Sequence, residues 1–255
     1  MSEPESNTVS YGYQQVDPAE KTRRVTSVFE RVAKRYDIMN DLMSAGLHRG
    51  WKDEFVRMVK PRAGEQILDM AGGTGDIAFR LAKAGANVTV ADINPAMLEV
   101  GQGRAAKNAT DKPTLGGHGA LTWREENAET LSFADCSFDA YTIAFGIRNV
   151  TDIPAALRSA HRVLKYGGRF FCLEFSTTEW PGFGAAYDAY SHRVVPQIGK
   201  YVAKDEEAYR YLVESIRRFP PMAEFATMIA AAGFSQVATR PILGGLVAIH
   251  SGWKA

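Results

Sequence analysis

The chain has 255 residues, and its 30 Lys plus Arg against 29 Asp plus Glu leave a formal charge of +1. That balance offers no basic excess to neutralise a run of phosphates, so a general nucleic-acid binder is disfavoured, while 45% hydrophobic and 23% charged residues match an ordinary globular protein. No apolar run reaches the roughly 18 residues of a transmembrane helix, and the length fits one large domain or a domain with an added subdomain.

Residues 1–20 are polar and acidic and read as a flexible lead-in. They show neither the apolar stretch of a signal peptide nor the arginine-rich character of a transit peptide, which points to the cytoplasm. From Lys21 the pattern changes: Val25, Val28, Phe29, Val32 and Tyr36 recur at helical spacing, with Arg24, Arg31, Lys34 and Arg35 mainly on other faces. Met39, Leu42, Met43, Leu47, Trp51 and Phe55 form a second apolar group ending near Pro61, so two or three helices are expected over 21–61.

Strand-like and helix-like segments then alternate. Strands are expected at 66–70, 87–93, 121–125, 140–145 and 169–175, and helices at 75–83, 95–106 and 153–164, the pattern of a parallel sheet covered on both faces. Residues 176–220 break the alternation and carry Trp180, Phe183, Tyr187, Tyr190, Tyr201, Tyr209 and Tyr211, which predicts a helical insertion over one end of the sheet. A helix with Phe225, Met228 and Ile229 on one side follows, with Gly233 placed as its C-terminal cap. Strands at 234–242 and 245–253, joined at Leu243-Gly244-Gly245, then close the sheet as an antiparallel hairpin. Residues 21–255 thus read as one α/β domain. Cys136 and Cys172 have no metal-ligand spacing and read as buried free thiols.

The chemistry concentrates in Asp69-Met70-Ala71-Gly72-Gly73-Thr74-Gly75-Asp76, where a strand runs through a glycine turn into a helix. Gly73, Gly75 and Ala78 satisfy a permissive dinucleotide pattern, and Asp92 lies about twenty residues beyond the loop, where an acid holds a ribose diol. The glycines alone fit NAD or another adenosine cofactor. The acids favour S-adenosylmethionine: a pyrophosphate docked here would meet the carboxylates of Asp69 and Asp76, whereas a ribose, a sulfonium and an ammonium all suit them. Asp92 would accept from both ribose hydroxyls, with capping of the helix at Pro95 as its structural alternative. After the third strand, Asn127 and the backbone of Ala128 would meet the adenine edge. Three strand ends converge, as ligand sites of open α/β sheets do.

With these stations in place, the chain resembles the class I S-adenosylmethionine-dependent methyltransferases and, within them, the C-methyltransferase family of ubiquinone and menaquinone biosynthesis. The likeness runs from Gly12 to Lys254 and is most specific over Tyr36-Asp37-Ile38-Met39-Asn40-Asp41-Leu42-Met43-Ser44 and Phe145-Gly146-Ile147-Arg148-Asn149-Val150-Thr151-Asp152; it includes His48-Arg49, Trp51-Lys52 and Leu173-Glu174-Phe175-Ser176. It implies a Rossmann-like, seven-stranded, mostly parallel sheet with N-terminal helices and a helical insertion before the last two strands. Its cofactor contacts fall on Thr74, Asp92, Asn127 and Ala128 within the frame of Asp69, Gly72, Gly73 and Gly75. A further contact, usually a serine, falls on Ala144, which lacks the hydroxyl.

The resemblance implies ring C-methylation of a polyprenylated quinol, of the 2-methoxy-6-polyprenyl-1,4-benzoquinol type or a demethylmenaquinol. A non-catalytic S-adenosylmethionine-binding component of a quinone-biosynthesis complex is the alternative. Such a substrate would bring peripheral contact with the inner membrane, for which the helix from Lys21 to Tyr36 is a candidate, and a homodimer is a further candidate assembly. The loop after the fourth strand lacks the Asn/Asp-Pro-Pro-aromatic motif of amine methylation, and Asp152 has no companion ligands for a metal. Arg148 cannot act as a base, because guanidinium does not deprotonate. It is expected to stabilise a phenolate or hold a water that takes the proton, an ion pair with Asp152 being its structural alternative. Asn149 is expected to orient the quinol oxygen, and Asp76 to hold Arg148, a water or the cofactor ammonium. Tyr36, His48, Tyr190 and His192 are the candidate proton acceptors.

Overall fold

The computed structural model describes residues 8–33, 41, 44, 46–111, 119–176 and 206–255. Expectations placed on Tyr36, Met39, Leu42, Met43, Trp180, Phe183, Tyr187, Tyr190, His192 and Tyr201 lie outside the described residues.

Strands β1 (Val9–Tyr11) and β2 (Gln14–Val16) form a small antiparallel hairpin, and helix α1 (Pro18–Val32) follows at once. This corrects the lead-in expected through residue 20. Asp17 accepts from the Ala19 amide at 2.9 Å and Pro18 opens the helix, a combination that starts α1 before its first apolar residue. The hairpin is held because Tyr11 is buried and stacks on Tyr211 at 4.4 Å, and because Glu214 accepts from the Tyr13 amide.

Helix α2 (His48–Val59) leads to β3 (Gln66–Met70), α3 (Asp76–Lys83), β4 (Asn87–Asp92), α4 (Pro95–Asp111) and β5 (Leu121–Glu125). Then come β6 (Phe138–Ala144), α5 (Ile153–Val163), β7 (Leu164–Phe175), α6 (Glu206–Arg218), α7 (Met222–Ala231), β8 (Ser235–Ile242) and β9 (Val247–Trp253). The main sheet has seven strands in the order β5-β4-β3-β6-β7-β9-β8; the first five are parallel, and β9 pairs antiparallel with both β7 and β8. The expected hairpin therefore exists, with β9 inserted beside β7 and β8 at the edge.

Both faces of the central strands are buried. Ile67, Phe171, Leu173 and Phe175 join one apolar cluster with α1, α2, α3 and α6, whereas Leu68, Phe170 and Cys172 join a second with α5 and α7. Alternation along a strand sends neighbours to opposite layers, so a central strand reads as continuously apolar. Gly233 follows α7 with φ 105, the cap expected from sequence. Cys172 is buried but Cys136 is exposed, which corrects the expectation for it: its turn lies outside the sheet, with φ 54.

The strand order turns back between β3 and β6, whose next neighbours lie on opposite sides. Ligands of open α/β sheets bind outside the carboxyl ends of strands at such a point. The residues leaving these two strands, Ala71 and Phe145, both adopt positive φ, 51° and 56°. Left-handed backbone at non-glycine residues is costly and concentrates at functional sites.

Candidate active site

An open cleft lies at this switch point, walled by the ends of β3, β4 and β6, the turn after β5, and α1. Asp69, Gly72, Gly73, Thr74, Asp76, Asp92, Asn127, Ala128, Ala144 and Asn149 all face it; Gly75 and Arg148 do not.

The glycine turn closes through a bond from the Gly75 amide to the Gly72 carbonyl at 2.8 Å, and Gly75, at φ 83, is the left-handed residue from which α3 starts. Gly75 therefore shapes the wall without forming it. A side chain at Gly72 would come within 2.6 Å of Val90 and 2.9 Å of the Asp69 carbonyl, so only glycine lets the turn lie this close to β4. Thr74 is buried and accepts from Arg104 of α4 at 2.9 Å.

Asp92 ends β4 with each carboxylate oxygen held by one backbone amide, Gly73 on Oδ2 and Asn94 on Oδ1, both at 2.9 Å. Burial pushes its carboxyl up to about 6. Asp92 does not cap α4: Asn94 does, accepting from Ala96 and Met97 at 3.0 and 3.3 Å. Each Asp92 oxygen keeps a lone pair for a ligand. Asp69 pairs in register with Thr142 of β6, whose hydroxyl donates to Oδ1 at 2.8 Å. Its Oδ2 is buried without a hydrogen-bond partner among the described residues, and burial, reinforced by Asp76 and Asp92, drives the carboxyl up to about 7. Asn127 and Ala128 occupy a turn in which the Asn127 carboxamide oxygen accepts from the Glu129 amide at 2.9 Å. Ala144 ends β6 and presents a methyl group, as the sequence indicated.

These groups fit an adenosine cofactor with a cationic tail. Asp92 sits where a ribose diol would be read, and an orphaned buried carboxylate oxygen on Asp69 calls for a ligand N–H or water.

Asp76 does not meet Arg148, one of the partners expected for it. Lys52 of α2 donates to its Oδ2 at 2.7 Å, and Arg80 holds Oδ1. Burial opposes ionisation of Asp76, yet Lys52 and Arg80 outweigh it and bring the carboxyl down to about 2. Arg148 is engaged elsewhere. Its Nη1 donates at 2.7 Å to the Phe145 carbonyl and at 2.7 Å to Glu174 of β7, with its Nε buried and unpartnered among the described residues. Asp152 instead caps α5 by accepting from the Ala155 amide at 2.9 Å, so the surface pair with Arg148 does not form. The guanidinium thus braces the loop after β6 from behind, tied to the left-handed Phe145 that faces the cleft. Asn149 faces the cleft and accepts from the Tyr211 hydroxyl at 3.0 Å.

Several cleft residues were not among the site residues named from the sequence. Thr22, Val25, Thr26 and Phe29 put one face of α1 over the cleft, and α1 is tied down where Asn94 donates to the Thr26 carbonyl at 3.0 Å and Lys21 donates to the Val150 carbonyl at 2.8 Å. Lys52 was the most legible of those missed. His48, Trp51, Lys52, Phe55 and Val59 are the buried residues of α2, so a lysine stands in register with the apolar stripe, as Lys21 does with Val25, Val28 and Val32 in α1. His48 is buried, with Nε2 2.8 Å from Asp41, and it does not face the cleft.

A Rossmann-like sheet with this strand order and an acid-lined adenosine cleft at its switch point defines a methyltransferase of class I. The chain belongs to the ubiE/COQ5 methyltransferase family, whose model matches residues 17–254. It is 65% identical to the ubiquinone/menaquinone biosynthesis C-methyltransferase UbiE of Zymomonas mobilis, over 96% of this chain and 98% of that one. It is 54% identical to the enzyme of the same name from a Bradyrhizobium species, over 97% of each. Among solved structures, a methyltransferase from Thermotoga maritima described as S-adenosylmethionine-dependent and a possible histamine N-methyltransferase superposes with a TM-score of 0.61 at 18% identity, covering 91% of this chain and 100% of that one. Likeness at that identity speaks to the fold.

Proposed function

We infer that the chain methylates a ring carbon of a polyprenylated quinol, a benzoquinol of the 2-methoxy-6-polyprenyl type or a demethylmenaquinol, with S-adenosylmethionine as donor. The observation that carries the reading is the cleft itself: Asp69 and Asp92 converge with the Asn127–Ala128 turn on the adenosine side, while the loop ending in Asn149 has no amine-accepting motif. The relatives named as C-methyltransferases support the same choice of atom. What the donor supplies when bound is an electrophilic methyl on a positively charged sulfur, and the ring gives up a proton in exchange.

This chain's own part is placement and exclusion of water. Asn149, fixed by Tyr211, offers its carboxamide to a quinol oxygen. Tyr211 is in turn clamped by Tyr11, so the N-terminal hairpin supports a residue of the cleft. Phe29 and Val25 of α1 cover the cleft on the donor side. Holding reacting atoms in line is worth up to about 7–11 kcal/mol in well-oriented systems.

A polyprenyl tail resides in a bilayer, so the protein meets a membrane surface to take its substrate. Among the described residues no helix is long and apolar enough to cross one. Among the described residues of the candidate helix, Val25, Val28 and Val32 are buried in the core, and Arg23 and Arg24 pair with Glu20. Co-flotation with vesicles, with and without a quinol, tests the contact directly.

Incubation with radiolabelled donor and a short-chain benzoquinol or demethylmenaquinol, each kept reduced, should yield a ring-methylated product with at least one of them. Donor binding without ring methylation of either quinol would overturn the catalytic reading in favour of a non-catalytic component of a quinone-biosynthesis complex.

A further inference from the structure

We propose that Lys52 reads the amino-acid end of the methyl donor, its ammonium pairing with the donor's carboxylate while Asp76 beside it pairs with the donor's α-ammonium. The assignment rests on S-adenosylmethionine being the donor. It begins from the charge pattern of the cleft. Asp69, Asp76, Asp92 and Glu129 face the cleft, and Lys52 is the one cation among the described residues that do. A sulfonium and an ammonium suit such a wall, but a carboxylate does not. An anion left among four acids in a partly dry pocket is costly, and a single well-placed cation removes most of that cost.

Lys52 is placed for that work by its helix. It lies on the buried stripe of α2 with its side chain only 5% exposed, and its Nζ donates to Asp76 Oδ2 at 2.7 Å. An ammonium has three donors, so the bond to Asp76 leaves capacity for a ligand carboxylate. A lysine that only filled core space would gain nothing from ending at the wall of the cleft. Asp76 is prepared in the same way: Arg80 and Asp53 continue the chain of opposite charges outward, and Asp76 is already ionised beside Lys52 and Arg80 when a third cation approaches. An ammonium next to a carboxylate on the protein is thus the mirror of the α-ammonium and α-carboxylate of an amino acid, and the pair reads the zwitterion as a unit.

Nucleosides that lack the amino-acid end separate this role from a structural one. Isothermal titration of the full-length protein with S-adenosylhomocysteine and with 5′-methylthioadenosine compares ligands that differ by that end. Native protein should bind S-adenosylhomocysteine more tightly. Lys52→Met should weaken S-adenosylhomocysteine about 10- to 100-fold, the scale of a charge-assisted hydrogen bond, and leave methylthioadenosine unchanged, which also shows that the variant is folded. Lys52→Arg should recover part of the loss. Equal weakening of both ligands by Lys52→Met, or no weakening of S-adenosylhomocysteine, would overturn the assignment. Failure of native protein to bind S-adenosylhomocysteine at all would instead overturn the choice of donor, and the role of Lys52 with it.

Discussion

At the scale of single residues, the cleft is defined by carboxyl groups that do not share one charge state. Asp76 is ionised beside Lys52 and Arg80, whereas Asp69 and Asp92, buried with only neutral hydrogen-bond partners, titrate near neutrality at about 7 and about 6. Asp69 therefore makes a pH-dependent contribution whose sign follows from linkage. Its folded pKa of about 7 stands above its ordinary 3.8, so between those values the folded chain holds more protons than the unfolded one, and stability falls as pH rises through the window. Below it both states are protonated and the cost vanishes; above about 7 both are ionised and the cost is complete. Asp69→Asn keeps an oxygen to accept from Thr142 and removes the charge. The variant should thus gain thermal stability over the parent at pH 8 and gain distinctly less at pH 5, as read by melting at the two pH values without donor. A difference in melting temperature that does not change with pH would show that the Asp69 charge carries no such cost. The same charge is what the donor's cationic groups would find on binding, so Asp69→Asn should also weaken donor binding most at pH 8.

At the scale of elements, two ties hold the walls of the cleft, and each can be cut separately. Glu174 and Arg148 lie on β7 and on the turn after β6, with side chains 1% and 5% exposed. Removing one member of a buried ion pair strands the other charge and costs about 3–5 kcal/mol, whereas replacing both with apolar residues of similar size costs far less. Glu174→Ala should therefore lower the denaturation midpoint sharply, and Arg148→Met combined with Glu174→Leu should recover most of the loss. Additive losses in the double variant would mean that the two side chains do not act as a pair. The second tie is Asn94, which caps α4 with its oxygen and fixes α1 with its nitrogen. Asn94→Ala should cost about 0.5–2 kcal/mol through the lost cap. Asn94→Ser keeps a capping oxygen but no donor for Thr26, so it should hold stability near the parent while raising the KM for donor, because the cover over the cleft is loosened. Neither tie was visible in the sequence. A hydrogen bond between residues 68 apart, or a pair formed across adjacent parallel strands, depends on strand order and register, and periodicity reports only which face of its own element a residue occupies.

At the scale of the whole molecule, the sheet was legible because the central strands β3, β4 and β6, largely buried, are short apolar runs followed closely by glycine or closed by an acid, and its helices carry clear stripes and caps. Gly72, Asp92 and Asn127 sit at strand ends that the fold class brings together, so these stations could be named before any coordinates. The protein partners of Arg148 and Asp76 could not, because which opposite charge a side chain finds is a tertiary matter: Glu174 and Lys52 come from elements 26 and 24 residues away. The assembled charge pattern bears on the one cofactor ambiguity the glycine turn left. A dinucleotide would bring a pyrophosphate to a wall of four acids and one lysine, while S-adenosylhomocysteine brings an ammonium and no phosphate. Ligand bound only by the folded state stabilises it by about 2.7 kcal/mol at a hundred times Kd, and for a domain of this size each kcal/mol raises the melting temperature by about 2–4 °C. Saturating S-adenosylhomocysteine should therefore raise the melting temperature by about 5–10 °C, and NADH at the same concentration should leave it where it was. Protection by NADH of similar size would mean that the acids do not exclude the pyrophosphate, and that the cleft is chosen by its glycines alone.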